Sequence, residues 1–569
     1  MEFNFIPSEY QKRIFDFVEN GKGNAVINAK AGSAKTTTAV KCLDFIPKDK
    51  TVAFFAFNRS IVKEIDEKIG GQPNICVCTF HSLAHKILTE KWGYGSFILN
   101  EFKYKTYLSR NINDLSDGTY AALAKVDKEP YNRNINYILD LSRFNLCKTT
   151  DDIDDVVEKY GIDLVANEID VVEKLLKWGK ENITEVDYTD LVWLIDEYDI
   201  KTKKYKFDFV FVDEAQDTSP MQHSMVKKCF KRNTRFILAG DENQCINSWA
   251  GADKDAFTNF KNEPNTVELD LPISYRCPRS VIREAQRLVP EIEAAPNAIE
   301  GSVVHDVSPY KAHPGDMILC RTTAPLVKLQ TEFLSKNIGC YIKGSEIGKS
   351  LINMIDRTGF NNLSVECDRE GVMSTLIKGY LKTLVKLMDS LDIKDAVETE
   401  TFQRQYDSVR AIEILSNGLF DAEQLRNRIR SIFKDNSQND ICLSTVHKAK
   451  GLEANNVFIL CPSLIPSRRA VLPWEIEAER NLEYVAITRA KKNLYYIDEK
   501  LFSPRKGYSD AATTLDDVRF AAELIKPIYG KNYLTGAMEK RIEKSQTGET
   551  KTNKTRKKIG ANKFKNFLK

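Results

Sequence analysis

The stretch Ala29-Lys30-Ala31-Gly32-Ser33-Ala34-Lys35-Thr36 decides the fold of this chain. It follows a short apolar run that ends at Ile27, and it precedes Thr37–Leu43, which can continue as a helix. A strand, a loop of small residues ending in Lys-Thr, and a helix form the context in which a phosphate-binding P-loop works. The stretch therefore predicts a P-loop.

The chemistry predicted for this loop is the binding of nucleotide phosphates. Backbone N–H groups of the loop and the positive end of the helix dipole face the phosphates. Lys35 is expected to reach the β- and γ-phosphates, and the Thr36 hydroxyl is expected to ligate Mg²⁺. Ala34 stands where glycine normally precedes the lysine, and its methyl group strains the loop unless the backbone φ there is negative. The predicted nucleotide-binding residues of the loop are Ala29, Lys30, Ala31, Gly32, Ser33, Ala34, Lys35, Thr36 and Thr37.

The composition is typical of a soluble globular protein of about three or four domain-sized units, with 569 residues, 42% hydrophobic and 29% charged. A net charge of +3 does not by itself indicate a nucleic-acid binder, so any basic surface must be local. No apolar run approaches the ~18 residues of a membrane span, and the first residues lack the basic region of a signal peptide. Neither a membrane partner nor secretion is predicted.

The twelve cysteines are scattered and include no Cys-x-x-Cys pair. Buried free thiols are therefore a better interpretation than a metal site. Free thiols also predict a reducing compartment. The high content of Lys, Asn and Ile indicates an A+T-rich genome, and we therefore place the protein in the cytoplasm of a bacterium or of a phage-infected host cell.

Short apolar runs of strand length alternate with helical patterns in two parts of the chain. In each part, polar residues follow the ends of the runs, as they do where an open parallel sheet binds ligands. The predicted class is therefore α/β, with two lobes built on parallel sheets. The runs are Ala25–Ile27, Thr51–Phe57, Ile75–Thr79, Phe207–Val212 and Arg235–Ala239 in the first part, and Asp316–Cys320, Cys340–Ile342, Ile441–Ser444, Val457–Leu460 and Leu494–Ile497 in the second.

Two charged, helix-periodic segments interrupt these lobes, and we interpret them as helical insertions. The resulting division is residues 1–84 and 186–268 for the first lobe around the insertion 85–185, residues 269–350 and 440–500 for the second lobe around the shorter insertion 351–439, and residues 501–569 for a C-terminal extension. The end of this extension, Glu539–Lys569, carries eleven Lys or Arg residues against three Glu. We predict a disordered basic tail that either is merely solvated, binds phosphates or contacts a protein partner.

Two adjacent acids, Asp213 and Glu214, follow the apolar run that ends at Val212. A P-loop requires such partners at the end of a neighbouring strand. Asp213 is expected to hold Mg²⁺ through its water shell, and Glu214 is expected to act as general base on the attacking water.

The block Asp213-Glu214-Ala215-Gln216-Asp217 is similar, letter for letter, to the second motif of the UvrD/Rep family of superfamily 1 helicases, and several motifs also resemble the F-box DNA helicases. The resemblance runs from Gln11 to about Lys492. It implies two RecA-like P-loop lobes, with ATP and Mg²⁺ as cofactors.

The resemblance also implies roles for first-lobe residues. Gln11 would read adenine, and Gln244 in Gly240-Asp241-Glu242-Asn243-Gln244 would sense the γ-phosphate. The residues implied to contact nucleic acid are Asn58, Thr79, Phe80, His81 and Trp249, the last by stacking on a base. Asn247 departs from the family, which usually offers a second stacking aromatic there. Phe55 and Phe57 are at least as well explained by a β-core as by base stacking.

In the second lobe, Tyr275-Arg276 resembles the fourth motif, in which Tyr275 would stack on adenine and Arg276 would touch the γ-phosphate. Thr445-x-His447-x-x-Lys450-Gly451-Leu452-Glu453 resembles the fifth, which implies that Thr445 and His447 contact the DNA backbone and that Glu453 contacts the ribose. Glu479-Arg480-x-x-x-Tyr484-Val485-x-x-Thr488-Arg489-Ala490 resembles the sixth, in which Arg489 would be the arginine finger. The catalytic set is thus Lys35, Glu214, Gln244, Arg276 and Arg489.

Taken together, the resemblance implies an ATP-dependent DNA helicase that moves 3′→5′ on single-stranded DNA and acts in DNA replication, repair or recombination. The expected partners are single-stranded DNA and single-strand/duplex junctions, and the expected state is a monomer. Two alternatives stay open. One is a translocase that strips proteins from single strands with little unwinding, and the other is a DNA-binding scaffold that binds ATP without hydrolysis, which only Ala34 favours.

Overall fold

The computed structural model describes residues 6–56, 59–248, 251, 254–358, 376, 379, 400–416, 418–419, 422–435, 437, 440–467 and 470–498. The predicted nucleic-acid contacts Asn58 and Trp249, together with Phe57 and the basic tail, lie outside the described residues.

The strands within these residues are, in chain order, β1 (Asn24–Ala29), β2 (Val52–Phe55), β3 (Ile75–Cys78), β4 (Ile98–Leu99), β5 (Glu185–Val186), β6 (Phe207–Asp213), β7 (Phe230–Gly240), β8 (Thr266–Leu271), β9 (Ile273–Ser274), β10 (Glu293–Ala294), β11 (Ser302–Val307), β12 (Met317–Cys320), β13 (Cys340–Lys343), β14 (Phe433–Lys434), β15 (Ile441–Thr445), β16 (Ala454–Ile459) and β17 (Ala490–Ile497).

The α-helices are α1 (Glu9–Asn20), α2 (Lys35–Cys42), α3 (Arg59–Ile69), α4 (Phe80–Trp92), α5 (Lys103–Leu115), α6 (Thr119–Ala122), α7 (Lys125–Phe144), α8 (Thr150–Lys159), α9 (Glu168–Glu181), α10 (Tyr188–Glu197), α11 (Pro220–Lys228), α12 (Lys254–Lys261), α13 (Arg279–Ala285), α14 (Thr323–Ser335), α15 (Ser345–Asp356), α16 (Glu400–Ser416), α17 (Ala422–Ile432) and α18 (Pro473–Ile487).

The first of two compact units comprises Met1–Glu300 and Leu472–Thr488 and is built on a six-stranded sheet. Its strand order is β3-β2-β6-β7-β1-β8, and every pairing is parallel. Strand β7 therefore lies between β1, which leads into the P-loop, and β6, which leads into the acids. Since all strands are parallel, the polar residues that follow them meet at one edge of the sheet.

Apolar runs form these strands because both faces of the sheet are covered. Successive side chains of a strand point to opposite faces, and each face has its own core. In β2, Ala53 and Phe55 pack into one core, whereas Val52 and Phe54 pack into the other. Phe55 is fully buried, which supports the β-core interpretation for that residue.

Helices α5–α9 form a separate hydrophobic core between β3 and β6 in the sequence. A buried ion network joins this core to α10: Lys103 Nζ lies 2.7 Å from Asp190, and Arg143 lies 2.8 Å from Asp187 and 2.9 Å from Asp190. Charges removed from water in this way are stable only when paired. The network therefore fixes the place where the chain returns from these helices to the sheet.

The second unit comprises Gly301–Val471 and Arg489–Lys569. Its sheet has seven strands in the order β11-β17-β16-β12-β15-β13-β14, again all parallel. Helices α14 to α17 contribute to its main core. The predicted α/β class with two parallel-sheet lobes is confirmed.

The extent of the units differs from the boundaries expected from the sequence. The second lobe was expected to begin at residue 269, but Thr266–Leu271 pairs with β1 as the last strand of the first sheet. Helix α18 also belongs to the first unit, although it was expected in the second lobe. The physical reason in both cases is packing against elements distant in sequence, which local pattern does not report. As a scheme of functional domains, the division given above stays a prediction.

The cysteines within the described residues are free thiols, and nine of these eleven are buried. Across the same residues, no helix is both long enough and apolar enough to cross a membrane.

Candidate nucleotide site and nucleic-acid contacts

The P-loop connects the end of β1 to the start of α2, whose first residue is Lys35. Two of its residues have left-handed backbone: Gly32 with φ 73° and Ala34 with φ 60°. The positive φ of Ala34 means that its methyl group strains the loop, at a cost of about 1 kcal/mol. Alanine in place of the usual glycine therefore strains this loop.

Gly32 is required for a second reason. A Cβ atom at this position would lie 2.7 Å from the Arg276 Cβ and 2.7 Å from the Ser274 Oγ. The segment Ser274–Arg276 therefore packs so closely against the P-loop that a side chain at position 32 would collide with it. Tyr275 N–H also donates to the Gly32 carbonyl oxygen over 2.9 Å.

The two acids after β6 meet the two polar residues that begin α2. Lys35 Nζ lies 2.5 Å from Glu214 Oε2, and Thr36 Oγ1 donates to Asp213 Oδ2 over 2.5 Å. Burial raises the pKa of Asp213 to about 6, although Lys35 opposes the rise. Burial lowers the pKa of Lys35, but Glu214 and Asp213 outweigh burial, so the net shift is upward and the ammonium stays charged.

A second layer of hydrogen bonds holds Glu214, whose own backbone is left-handed with φ 53°. Gln216 Nε2 donates to Glu214 Oε2 over 2.7 Å, and Gln216 Oε1 accepts from Asp241 N–H over 3.0 Å. Gln244 Nε2 in turn donates to Asp241 Oδ2 over 2.7 Å. Burial raises the pKa of Asp241. The arrangement links the expected base to the expected γ-phosphate sensor through two intervening residues, Gln216 and Asp241.

Gln11 is buried against the first turn of α2, where its side-chain amide is already engaged. Its Nε2 donates to Thr38 Oγ1 over 2.9 Å, and its Oε1 accepts from Ser8 N–H as part of the helix cap. To contact an adenine base, the Gln11 side chain would have to give up these two hydrogen bonds. Tyr275, the other expected adenine contact, is 45% exposed, and Arg276 Nη1 approaches the Thr488 carbonyl at 3.5 Å.

The expected nucleic-acid contacts of the first unit lie at the start of α4. Thr79 caps this helix by accepting from Ser82 N–H over 3.2 Å. Phe80 is 5% exposed and stacks on Phe55 with ring centroids 4.8 Å apart, so its ring contributes to the core. His81 lies edge-on to Tyr188, with centroids 6.0 Å apart, and burial lowers its pKa. The structure thus brings Thr79 and His81 together and places the Phe80 ring in the interior.

In the second unit, Thr445 and His447 lie at the end of β15, whereas Glu453 and Arg489 immediately precede β16 and β17. Thr445 is its last residue and pairs with Cys320 of β12. His447 follows in a turn, where burial and the charges of Arg321, Lys448 and Lys450 lower its pKa to about 3. Glu453 pairs with Lys491 over 3.2 Å, and Arg489 is 1% exposed with its Nη1 3.3 Å from the Leu452 carbonyl oxygen.

Residues to which the sequence assigned no role complete the candidate nucleotide site. Gln216 and Asp241 belong to quoted motifs, yet their roles depend on hydrogen bonds between segments that local sequence does not relate. Asn481 and Tyr484 of α18 contact the same region. The signal that could have found them is their position in a motif together with the knowledge that α18 packs in the first unit.

Comparison with known proteins gives the family. The model of the UvrD/REP helicase N-terminal domain matches residues 10–265, and the model of the UvrD-like helicase C-terminal domain matches residues 440–497. These matches include the P-loop, both acids, Gln244 and Arg489.

Three relatives share most of this chain. F-box DNA helicase protein 1 of Schizosaccharomyces pombe is 26% identical over 540 residues, covering 86% of this chain but only 57% of the relative. The probable DNA helicase II homolog of Mycoplasma pneumoniae is 22% identical, covering 87% of this chain and 85% of the relative. ATP-dependent DNA helicase PcrA of Staphylococcus epidermidis is 23% identical, covering 84% and 82%. The chain therefore belongs to the UvrD-like family of ATP-hydrolysing helicases.

Proposed function

We propose that this protein is an ATP-dependent DNA helicase that translocates 3′→5′ on single-stranded DNA and unwinds duplex DNA during replication, repair or recombination. The observation that carries the proposal is the pairing of Lys35 with Glu214 and of Thr36 with Asp213 at one edge of the first sheet. A motor driven by ATP requires a lysine, a hydroxyl and two acids arranged in this way for hydrolysis. The direction of travel rests on the family resemblance alone.

The residues present fit ATP and Mg²⁺. Thr36 and Asp213 offer the oxygen ligands that Mg²⁺ prefers, and Gly32 leaves room where a side chain would block close approach of the loop. The Ser33 hydroxyl is buried and has no hydrogen-bond partner in the part of the chain that the structure describes. A phosphate oxygen would satisfy that hydroxyl, since buried polar groups without partners are costly.

In the proposed reaction, Glu214 accepts a proton from the water that attacks the γ-phosphorus, while the bond from that phosphorus to the β–γ bridging oxygen breaks and ADP leaves. Gln216 holds the carboxylate that performs this step, and Lys35 neutralises charge on the β- and γ-phosphates. When bound, Mg²⁺ would offset phosphate charge in the same region. We further propose that Gln244, Arg276 and Arg489 sense and stabilise the γ-phosphate, and that Gln11, Tyr275 and Glu453 contact the nucleoside.

Single-stranded DNA is proposed to contact Asn58, Thr79, Phe80, His81 and Trp249 in the first unit and Thr445 and His447 in the second. Of these, Thr79 and His81 have the best support, because they lie together at the start of α4. Phe80 would take part through the helix that it anchors. A depressed pKa keeps His447 neutral at pH 7, so it would contact DNA as a hydrogen-bonding group rather than as a cation.

We propose that the protein acts as a cytoplasmic monomer and that its basic tail contributes phosphate or protein contacts. Removal of Glu539–Lys569 should weaken DNA binding mainly at low salt, because contacts to phosphates release counterions. DNA affinity that is unchanged at every salt concentration would assign the tail another role.

The deciding experiment measures ATP turnover with and without single-stranded DNA, with Glu214→Gln as the matched inactive variant. Strong stimulation by DNA that is lost in Glu214→Gln supports a DNA-dependent motor. A strand-displacement assay then separates a helicase from a translocase that unwinds poorly. ATP binding without turnover would overturn the motor and favour the scaffold, for which the strained Ala34 is the supporting observation.

A further inference from the structure

Helix α18 carries two side chains that reach different loops of the nucleotide site. The first is Tyr484, whose side chain is fully buried. Its phenolic oxygen accepts a hydrogen bond from the Ala31 backbone N–H over 3.0 Å. Ala31 is the third residue of the P-loop and is fully buried as well. A side chain 453 residues away thus holds the loop from outside the phosphate cradle.

Two backbone hydrogen bonds hold the neighbouring loop residues. Lys30 N–H donates to the Leu271 carbonyl oxygen over 3.0 Å, and the Gly32 carbonyl oxygen accepts from Tyr275 N–H over 2.9 Å. Residues 30, 31 and 32 are therefore each fixed by a different element. The Tyr484 contact differs from the other two because a single atom change can remove it without altering any backbone.

The second side chain is Asn481, one helical turn before Tyr484 on the same face of α18. Its Nδ2 donates to the carbonyl oxygens of Glu242, over 3.1 Å, and Cys245, over 2.9 Å. These two carbonyls bracket Gln244, the residue expected to sense the γ-phosphate. Asn481 is 7% exposed, so its bonds form away from competing water.

We propose that Tyr484 and Asn481 are positioning residues, and that α18 uses them to hold the P-loop and the Gln244 segment in a fixed relation to each other. The helix is rigid and the two side chains are a turn apart, so neither loop can shift without breaking a buried hydrogen bond or moving the helix. This inference rests on the proposed ATP hydrolysis, because it assigns the two loops to one nucleotide.

The two loops make different demands on the nucleotide, and the test uses this difference. The P-loop serves both ATP and ADP, whereas a γ-phosphate sensor matters only for ATP. Tyr484→Phe keeps the ring and removes only the hydrogen-bond acceptor, so it should weaken ADP and ATP binding about tenfold each. Asn481→Ala should leave ADP binding within twofold of the parent and lower kcat about tenfold.

The experiment measures equilibrium binding of fluorescent Mg²⁺–ADP to the full chain without DNA, together with KM and kcat for ATP. Tyr131→Phe is the matched control, because Tyr131 is a fully buried tyrosine whose hydroxyl donates to Asn167 in the helical core of α5–α9. This control should leave ADP binding and kcat unchanged. Thermal unfolding of every variant verifies that it is folded.

Unchanged ADP affinity in Tyr484→Phe would overturn its positioning role. A parallel loss of ADP affinity and kcat in Asn481→Ala would show a general loosening and would overturn the role of Asn481. If the parent binds ADP but does not hydrolyse ATP, the proposed function fails, whereas the ADP-binding measurement still decides the Tyr484 contact.

Discussion

The P-loop of the first unit and the turn after β12 in the second occupy the same place in the same kind of sheet. Both follow a buried strand at the carboxyl edge of a parallel sheet, and both lead into a helix, α2 or α14. After β1 the chain makes a five-residue loop with two left-handed residues. After β12 it turns into the helix within Arg321 and Thr322. Equal topology is therefore combined with unequal loops, and the longer loop with its left-handed residues is the one that we propose as the phosphate cradle.

The largest effect is expected from a substitution of one of the two acids beside the P-loop. Glu214→Gln should lower kcat for ATP at least 100-fold, because it removes the base, while ATP remains bound. Turnover assays with a nucleotide-binding titration check both statements. Glu332→Gln on α14, the helix after β12, is the matched control and should leave turnover unchanged. Retained turnover in Glu214→Gln would exclude Glu214 as the base.

The second prediction compares glycines in the two units. Gly32→Ala should weaken ATP binding more than tenfold, because its Cβ would lie 2.7 Å from Arg276 Cβ in a backbone with φ 73°. Gly315→Ala, before β12, has equally unfavourable backbone with φ 90° but no neighbouring atom within 4 Å. ATP titrations should therefore separate close approach from backbone strain. Equal nucleotide affinities in the two variants would refute the close-approach argument.

A third, smaller effect concerns the strain at Ala34. Ala34→Gly should tighten ATP binding several-fold, because glycine adopts φ 60° without the cost of about 1 kcal/mol that alanine incurs. The readout is KM for ATP alongside the equilibrium binding constant. Weaker binding in Ala34→Gly would mean that the methyl group rigidifies the loop, and the strain argument would fail.

The smallest effect belongs to the second unit and depends on pH. His447 has a folded-state pKa of about 3, below its unfolded value of about 6.5, so the unfolded chain binds the proton more readily. The contribution of this histidine to stability is therefore full well above pH 6.5 and is lost as the pH drops toward 3, by about 1.4 kcal/mol at pH 5.5. Thermal unfolding of His447→Asn should show a weaker dependence between pH 7.5 and 5.5. An identical pH dependence in parent and variant would contradict a neutral, partly buried His447.

Local sequence pattern predicted the strands and helices of this chain well where residues close together in the sequence determine them. The apolar run before Ala29 and the acids after Val212 specify strands whose ends meet at one sheet edge, because parallel strands place those ends together. Pattern could not place α18, since its packing depends on contacts with residues more than 200 positions away. It also could not show that the ring of Phe80 points inward, because a single aromatic after a strand fits either environment.

The discontinuity of the first unit sets the order in which the protein can be completed. The first unit contains the residues up to Glu300. Most of the second unit follows in the sequence, and the first unit is then completed by Leu472–Thr488. A ribosome must therefore pass Thr488 before the P-loop can gain its contact with Tyr484. The proposed nucleotide site is therefore completed late in synthesis, although its P-loop is made early. A nascent chain that stops before residue 472 lacks Asn481 and Tyr484 and their contacts with the two loops.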